Sequence, residues 1–154
     1  MPRQPKPRSV AFFPYVKHFR PAEVSVEDLE EEVITLEELE AMRLKDLEGL
    51  DQDACAEKMG ISQSTFQRLL AGARFKVARA LVVGRGIRLE GGNYQLADSP
   101  LVCLSCGQEW EATEVPAEGV ACPKCGRGPV VVRSQCGPMA RRGWRHGRGP
   151  WWRW

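Results

Sequence analysis

Long apolar runs are missing from this sequence. No stretch approaches the roughly 20 consecutive apolar residues that a membrane-spanning helix needs. The basic, proline-rich residues 1–9 are not followed by an apolar segment of signal-peptide length. We therefore expect a protein without a membrane span that resides in the cytoplasm.

Residue arrangements typical of enzymes are also absent from the sequence. It contains no paired carboxylates at catalytic spacing, no nucleophile with a base partner and no phosphate-binding loop. Its two histidines, His18 and His146, have no ligand partners at a useful spacing. We expect no enzymatic activity.

Acidic residues are absent from three segments, although the formal net charge is only +2. Residues 1–20 contain five bases, residues 58–88 seven and residues 141–154 five, and none of these segments has an acid. Residues 23–57 instead hold fourteen acids and two bases. Such asymmetry indicates a polyanionic partner for the basic segments, with solvated faces as the alternative. The acidic run of residues 27–32 is interpreted as one such solvated face, with shielding of the basic helix or contact with another protein as the alternatives.

Three helices are predicted between residues 35 and 84. Thr35 followed by Glu38 fits a capping box, in which each side chain satisfies a free backbone N–H of the other residue. Serine at the start of the third helix and glycine after each helix supply the other boundary signals. The predicted bounds are Thr35 to about Gly49, Gln52 to Met59, and Ser62 to Gly84.

Residues 52–71 meet the requirements of a helix-turn-helix. Ala56 is the small residue at the close crossing, and Gly60 allows the turn between the two helices. Apolar contacts are assigned to Cys55, Met59, Ile61, Phe66 and Leu69. A helical hairpin with a solvated polar face is the alternative.

The outward face of the third helix is polar and basic. Glutamine can pair with adenine and arginine with guanine in the major groove, and further bases along the helix can meet phosphates. The predicted DNA-binding residues are Ser62, Gln63, Ser64, Thr65, Gln67, Arg68, Arg74 and Lys76, followed along the helix by Arg79.

Two C-x-x-C-G motifs follow, with fifteen residues between Cys106 and Cys122. They predict a closed tetrahedral site for a structural zinc ion, with a rubredoxin-like iron site as the main alternative and unpaired redox thiols as the next. We do not expect a catalytic zinc, because four cysteines leave no open position. The predicted ligands are Cys103, Cys106, Cys122 and Cys125. Cys55 is interpreted as a buried free thiol and Cys136 as an idle one.

The last residues combine arginine with tryptophan. Residues 137–154, which end in RRGWRHGRGPWWRW, cannot build a packed core and are predicted to be disordered. Arginine can neutralise phosphates and tryptophan can stack on unpaired bases, which favours non-specific nucleic-acid binding. Adsorption to an anionic membrane surface is the alternative.

The segment Thr35 to Gly60 (TLEELEAMRLKDLEGLDQDACAEKMG), continued by Ile61 to Leu81, resembles a family of uncharacterised bacterial and archaeal proteins. The helix-turn-helix of that family is similar to region four of sigma factors. The opening MPRQPKPR, the segment FRPAEV and the segment LEGG also look like that family, so the resemblance covers about residues 1–95. It implies DNA binding with Gln63, Ser64, Gln67 and Arg68 at the recognition-helix positions. It supplies no enzymatic activity and no target sequence.

These observations predict a mainly α fold with a sigma region-four-like helix-turn-helix, plus a small β zinc ribbon and a disordered tail. The predicted domains are residues 1–95 with a basic arm, 99–136 and 137–154. The predicted function is a DNA-binding transcriptional regulator that reads duplex DNA with the third helix. The alternative is a zinc-ribbon interaction module that docks on RNA polymerase or RNA. The expected cofactor is zinc, the expected partner is double-stranded DNA, and a homodimer is left open.

Overall fold

The computed structural model describes residues 6–96, 100–111 and 121–133, and these residues form two compact units. The first unit holds residues 6–10 and 16–96, and the second holds residues 11–15, 100–111 and 121–133. The tail predicted to be disordered, residues 137–154, lies outside the described residues, as does Cys136.

Three helices form the centre of the first unit, and the predicted bounds are confirmed. They are α1 (Leu36–Met42), which continues as a π-helical segment (Arg43–Leu47), α2 (Gln52–Met59) and α3 (Gln63–Val83). The capping box at Thr35 and Glu38 is present, and the Ser62 side chain accepts a hydrogen bond from the backbone N–H of Thr65. None of the helices in the described ranges has the length and apolar content needed to cross a membrane.

The core of the first unit lies where the three helices meet. Gly60 ends α2 in the left-handed conformation, with φ at 66°, and this sharp turn brings α3 back across α2. A cluster of buried side chains fills the space between the helices: Ala41, Leu44, Cys55, Ala56, Met59, Phe66 and Leu70. Ile61 and Leu69 pack against this cluster and are only partly buried.

Short strands surround the helices and build the second unit. Their bounds are β1 (Arg8–Val10), β2 (Phe12–Phe13), β3 (His18–Phe19), β4 (Glu31–Ile34), β5 (Gly86–Leu89), β6 (Tyr94–Leu96), β7 (Leu101–Cys103), β8 (Glu109–Trp110) and β9 (Val130–Val132). In the first unit β1 pairs with β6 in parallel, and β5 lies between β3, which is antiparallel to it, and β4, which is parallel to it. The second unit has an antiparallel sheet in the order β2-β9-β7-β8.

The prediction of a mainly α fold is wrong, because the described residues also contain nine strands in three sheets. Each strand has only two to four residues, so the alternating pattern that marks a strand has no length in which to appear. The pairing is also distant in sequence, since Arg8 pairs with Tyr94 and Glu31 with Gly86. The acidic run of residues 27–32 begins in a 3-10 turn at Val26–Asp28 and ends in β4.

Candidate metal centre and nucleic-acid interface

Both C-x-x-C-G motifs fold into the same tight turn. In the first, the N–H of Gly107 donates to the carbonyl of Cys103 at 2.8 Å, and in the second the N–H of Gly126 donates to the carbonyl of Cys122 at 2.9 Å. Gly107 and Gly126 have φ values of 76° and 65°, which favour glycine over residues with a side chain. The repeated turn directs the cysteines of each motif toward one point.

The four cysteine sulfurs form one cluster, in which all lie within 4.8 Å of one another. The Sγ atoms of Cys103 and Cys125 are 3.7 Å apart, and those of Cys106 and Cys122 are 3.6 Å apart. Tetrahedral coordination with metal–sulfur bonds of about 2.3 Å places sulfurs about 3.8 Å apart, whereas a disulfide needs about 2.05 Å. The described thiols are free. The cluster therefore has the geometry of a four-thiolate metal site.

The thiols of this cluster have different electrostatic surroundings. Burial raises the pKa of the Cys103 thiol to about 12. Burial acts in the same direction on Cys122, but backbone N–H groups of Cys125 and Lys124 outweigh it and lower the pKa of Cys122 to about 7. The N–H of Lys124 lies 3.4 Å from the Cys122 sulfur. Such N–H donors stabilise the thiolate, which is the form that binds a metal ion.

The sheet of the second unit supports the cluster with a small apolar core. Cys103 ends the central strand β7, so its sulfur is fixed by the strand pairing on both sides. Phe13 on β2 and Leu101 on β7 are buried, and so are all three valines of β9. Phe13 reaches this core from a position ninety residues before Cys103, and nothing in the spacing of the cysteines signals its role.

The start of α3 presents the polar face that the sequence predicts. Gln63, Ser64, Gln67 and Arg68 are exposed, whereas Thr65 is half-buried. The side-chain N–H of Gln67 donates to the side-chain oxygen of Gln52 on α2 at 2.7 Å. Within the described ranges Arg68 has neither a hydrogen bond nor an ion pair.

The bases further along α3 hold carboxylates of the same chain. Arg74 forms an ion pair with Asp46, and the amine of Lys76 lies 2.8 Å from both carboxylate oxygens of Glu38. Arg79 donates to Glu32 at 2.7 and 2.5 Å. A phosphate group could use these bases only in competition with a neighbouring carboxylate.

Glu32 shows that the interpretation of the acidic run as a solvated face is wrong at this position, where the alternative, shielding of the basic helix, is confirmed. Its side chain is buried, because β4 directs it toward α3. Hydrogen bonds from Arg79 and Arg85 outweigh the effect of burial and lower the pKa of Glu32 to about 2. Glu31 and Glu30 also pair with arginines, Arg88 and Arg85 respectively.

A family model described as "Protein of unknown function DUF134" matches residues 1–97 of this chain. The chain belongs to this family. The match covers the whole first unit and the residues of β2.

Similar members of the DUF134 family carry the name UPF0251 protein. One from Desulforudis audaxviator is 49% identical over 143 residues, which are 93% of this chain and 94% of the relative. One from Moorella thermoacetica is 51% identical over 148 residues, 96% of each protein. A third, from Thermoanaerobacter pseudethanolicus, is 56% identical over 98 residues, 64% of this chain and 83% of the relative. No solved structure matches the chain.

Three contacts of the predicted DNA-binding residues of this DUF134 protein are not indicated by its sequence. Gln52, whose side-chain oxygen accepts a hydrogen bond from Gln67, is predicted from the sequence only as the start of a helix. The carboxylates that neutralise Arg74 and Lys76 lie 28 and 38 residues away in the sequence. The sequence shows only that residues 23–57 are rich in acids and residues 58–88 rich in bases. That pattern does not specify which acid pairs with which base.

Proposed function

We propose that this protein binds duplex DNA and that the first two turns of α3 read base edges in the major groove. The observation that carries the proposal is the exposed polar face of Gln63, Ser64, Gln67 and Arg68 on a helix whose opposite side is buried. The helix-turn-helix packing of α2 against α3 fixes this face on a rigid support, as major-groove recognition requires.

The hydrogen bond between Gln52 and Gln67 supports this assignment. It orients the Gln67 amide through its N–H group, and the Gln67 side-chain oxygen and second N–H are then available for the two bonds that adenine offers. Arg68, without a carboxylate beside it in the described residues, is suited to guanine. A transcriptional regulator is the kind of protein that uses such a surface.

We also propose that the four cysteines hold one structural zinc ion. Four thiolate ligands complete a tetrahedral shell, so the ion would fix the two turns and offer no position to a substrate. Iron is the alternative metal ion for the same tetrahedral site.

Neutralisation of the α3 bases favours a second candidate function. A protein that reads DNA gains much of its affinity from free lysines and arginines near the recognition helix, and Arg74, Lys76 and Arg79 are occupied by carboxylates. The chain would then act as a zinc-ribbon module that docks on RNA polymerase or RNA.

A selection from random double-stranded DNA at physiological salt separates the two functions. The proposed regulator should enrich one preferred sequence, whereas a docking module should enrich none. With the enriched sequence, Gln67→Ala and Arg68→Ala should each weaken binding by about 1–3 kcal/mol and relax preference at one base position.

Gln95→Ala is the matched control, because Gln95 is an exposed glutamine on β6, outside helix α3. It should bind the selected sequence like the unmodified protein. Absence of any enriched sequence, or equal losses for Gln95→Ala and Gln67→Ala, would contradict the DNA-reading proposal.

A further inference from the structure

Helix α3 has an exposed apolar surface that the proposed function does not use. Beyond Arg68 the outward side of the helix changes from polar to apolar. Phe75 is 62% exposed and Val82 is 85% exposed, and Ala71 and Ala78 are exposed beside them. A contiguous exposed patch of this kind usually marks an interaction site.

These four residues follow one another at steps of four, three and four, so they form a single stripe along the helix. Small and large side chains alternate in the stripe. If two such helices pack antiparallel, Phe75 of each copy lies against Ala78 of the other, and Val82 lies against Ala71. The stripe is thus complementary to itself, as a two-fold symmetric interface requires.

We propose that this stripe binds a second copy of the chain, with the two α3 helices antiparallel. The residues beside the stripe agree with this orientation. In the antiparallel pair Arg74 lies beside Leu81 of the second copy and Arg79 beside Gly72, so no two cations meet. In a parallel pair Arg74 would lie beside Arg79, which is unfavourable because charges that flank a helix pair set its orientation.

The same flanks favour a protein partner over a nucleic acid. Arg74 and Arg79 are each paired with a carboxylate of their own chain, Asp46 and Glu32, and so enter the interface as neutral pairs. Leu81, which is 76% exposed, would be covered by the aliphatic part of Arg74 from the second copy. A nucleic acid would bind this surface poorly, because the stripe is apolar and both flanking arginines are already paired with carboxylates.

Sedimentation velocity of the full, metal-loaded chain tests the proposal. We expect a reversible monomer–dimer equilibrium at micromolar concentrations in the absence of DNA. Phe75→Asp should weaken dimerisation roughly 30-fold or more, because it places a charge at the centre of the stripe. Val26→Asp is the matched control, since Val26 is 65% exposed on the 3-10 turn and should leave the equilibrium unchanged.

A pair of variants tests the antiparallel register. Ala78→Phe should also weaken the dimer, because two phenyl rings would then compete for one space. The double change Phe75→Ala with Ala78→Phe exchanges the large and small positions and should restore dimerisation. Helix circular dichroism should be the same for all variants, since both positions are exposed.

Three results would overturn the proposal: a monomer at every concentration, a Phe75→Asp protein that dimerises like the unmodified chain, or a double variant no better than Ala78→Phe. The proposal goes beyond the proposed function and does not depend on it, because the dimer forms without DNA. A DNA selection that enriches no sequence therefore does not contradict the dimer proposal. A protein that stays monomeric does not contradict the result of the DNA selection.

Discussion

At the scale of single residues, Glu32 joins strand β4 to helix α3. The ordinary pKa of a glutamate side chain is 4.5, and the two arginine partners of Glu32 lower its pKa to about 2. A carboxylate with a lowered pKa stabilises the folded state fully above its unfolded pKa. That contribution is lost as the pH falls from about 4.5 toward 2.

We expect Glu32→Gln to lower the free energy of unfolding of the first unit at neutral pH. The variant should also lose less stability than the unmodified protein between pH 4.5 and 2, because it has no carboxylate to protonate there. Urea unfolding followed by helix circular dichroism at several pH values measures both effects. Glu57→Gln, at an exposed position of α2, should match the unmodified protein. Parallel pH curves for Glu32→Gln and the unmodified chain would refute the assignment.

At Gly92, a close approach of the Glu37 side chain to the backbone determines which residue can be present. A Cβ atom at this position would lie 1.8 Å from a carboxylate oxygen of Glu37, and the backbone has φ at +112°. The Glu37 carboxylate cannot move away freely, because it is buried and accepts hydrogen bonds from Arg8 and the backbone N–H of Asn93. The LEGG segment thus needs glycine at its last position for a steric reason.

Gly92→Ala should destabilise the first unit by about 3 kcal/mol or more, since it combines an unfavourable backbone conformation with displacement of Glu37. Gly91→Ala is the control. Gly91 also has a positive φ, 72°, but a Cβ there would meet nothing within 4 Å. Its cost should be only the conformational strain, about 1–2 kcal/mol. Equal losses in urea unfolding for the two variants would show that the contact with Glu37 is unimportant.

At the scale of elements, the two cysteine turns depend on the ion that we propose they share. A structural zinc ion can supply on the order of 10 kcal/mol to a small module, and the described sheet of the second unit has only a small apolar core. We expect near one zinc per chain in protein purified without chelator, and near zero after Cys103→Ser with Cys122→Ser.

Elemental analysis measures this content and distinguishes zinc from iron. Cys55→Ala is the control, because Cys55 is buried among the helices of the first unit and should leave the metal content unchanged. A metal content near zero in the unmodified protein would rule out the proposed site.

The helices could be predicted because their signals are local. The Thr35–Glu38 capping box and Gly60 each lie within a few residues of the boundary that they fix. The cysteine cluster could also be predicted from the sequence, because the spacing within each motif already sets the turn. Strand β4 could not be predicted in this way. Its inward residues are Glu32 and Ile34, and a buried acid conceals the alternation of apolar and polar residues.

At the scale of the whole molecule, folding pairs the acidic segment with the basic one. Residues 23–57 and 58–88 look like separate charged regions in the sequence, yet in the first unit their side chains are partners. The pairs that link them are Asp46 with Arg74, Glu38 with Lys76, Glu32 with Arg79 and Arg85, Glu30 with Arg85, and Glu31 with Arg88. Charge asymmetry along the sequence therefore overstated how many bases α3 offers to a polyanion.

The order of synthesis bears on the second unit, because its sheet is built from strands far apart in the sequence. Phe13 of β2 leaves the ribosome 117 residues before Val130 of β9, the strand with which it pairs. Helices α1 to α3 can pack together long before that point, since their contacts lie within residues 36–83. The phenyl ring of Phe13 can take its place in the sheet only when translation has passed β9, so the sheet of the second unit cannot be completed before that strand has been synthesised.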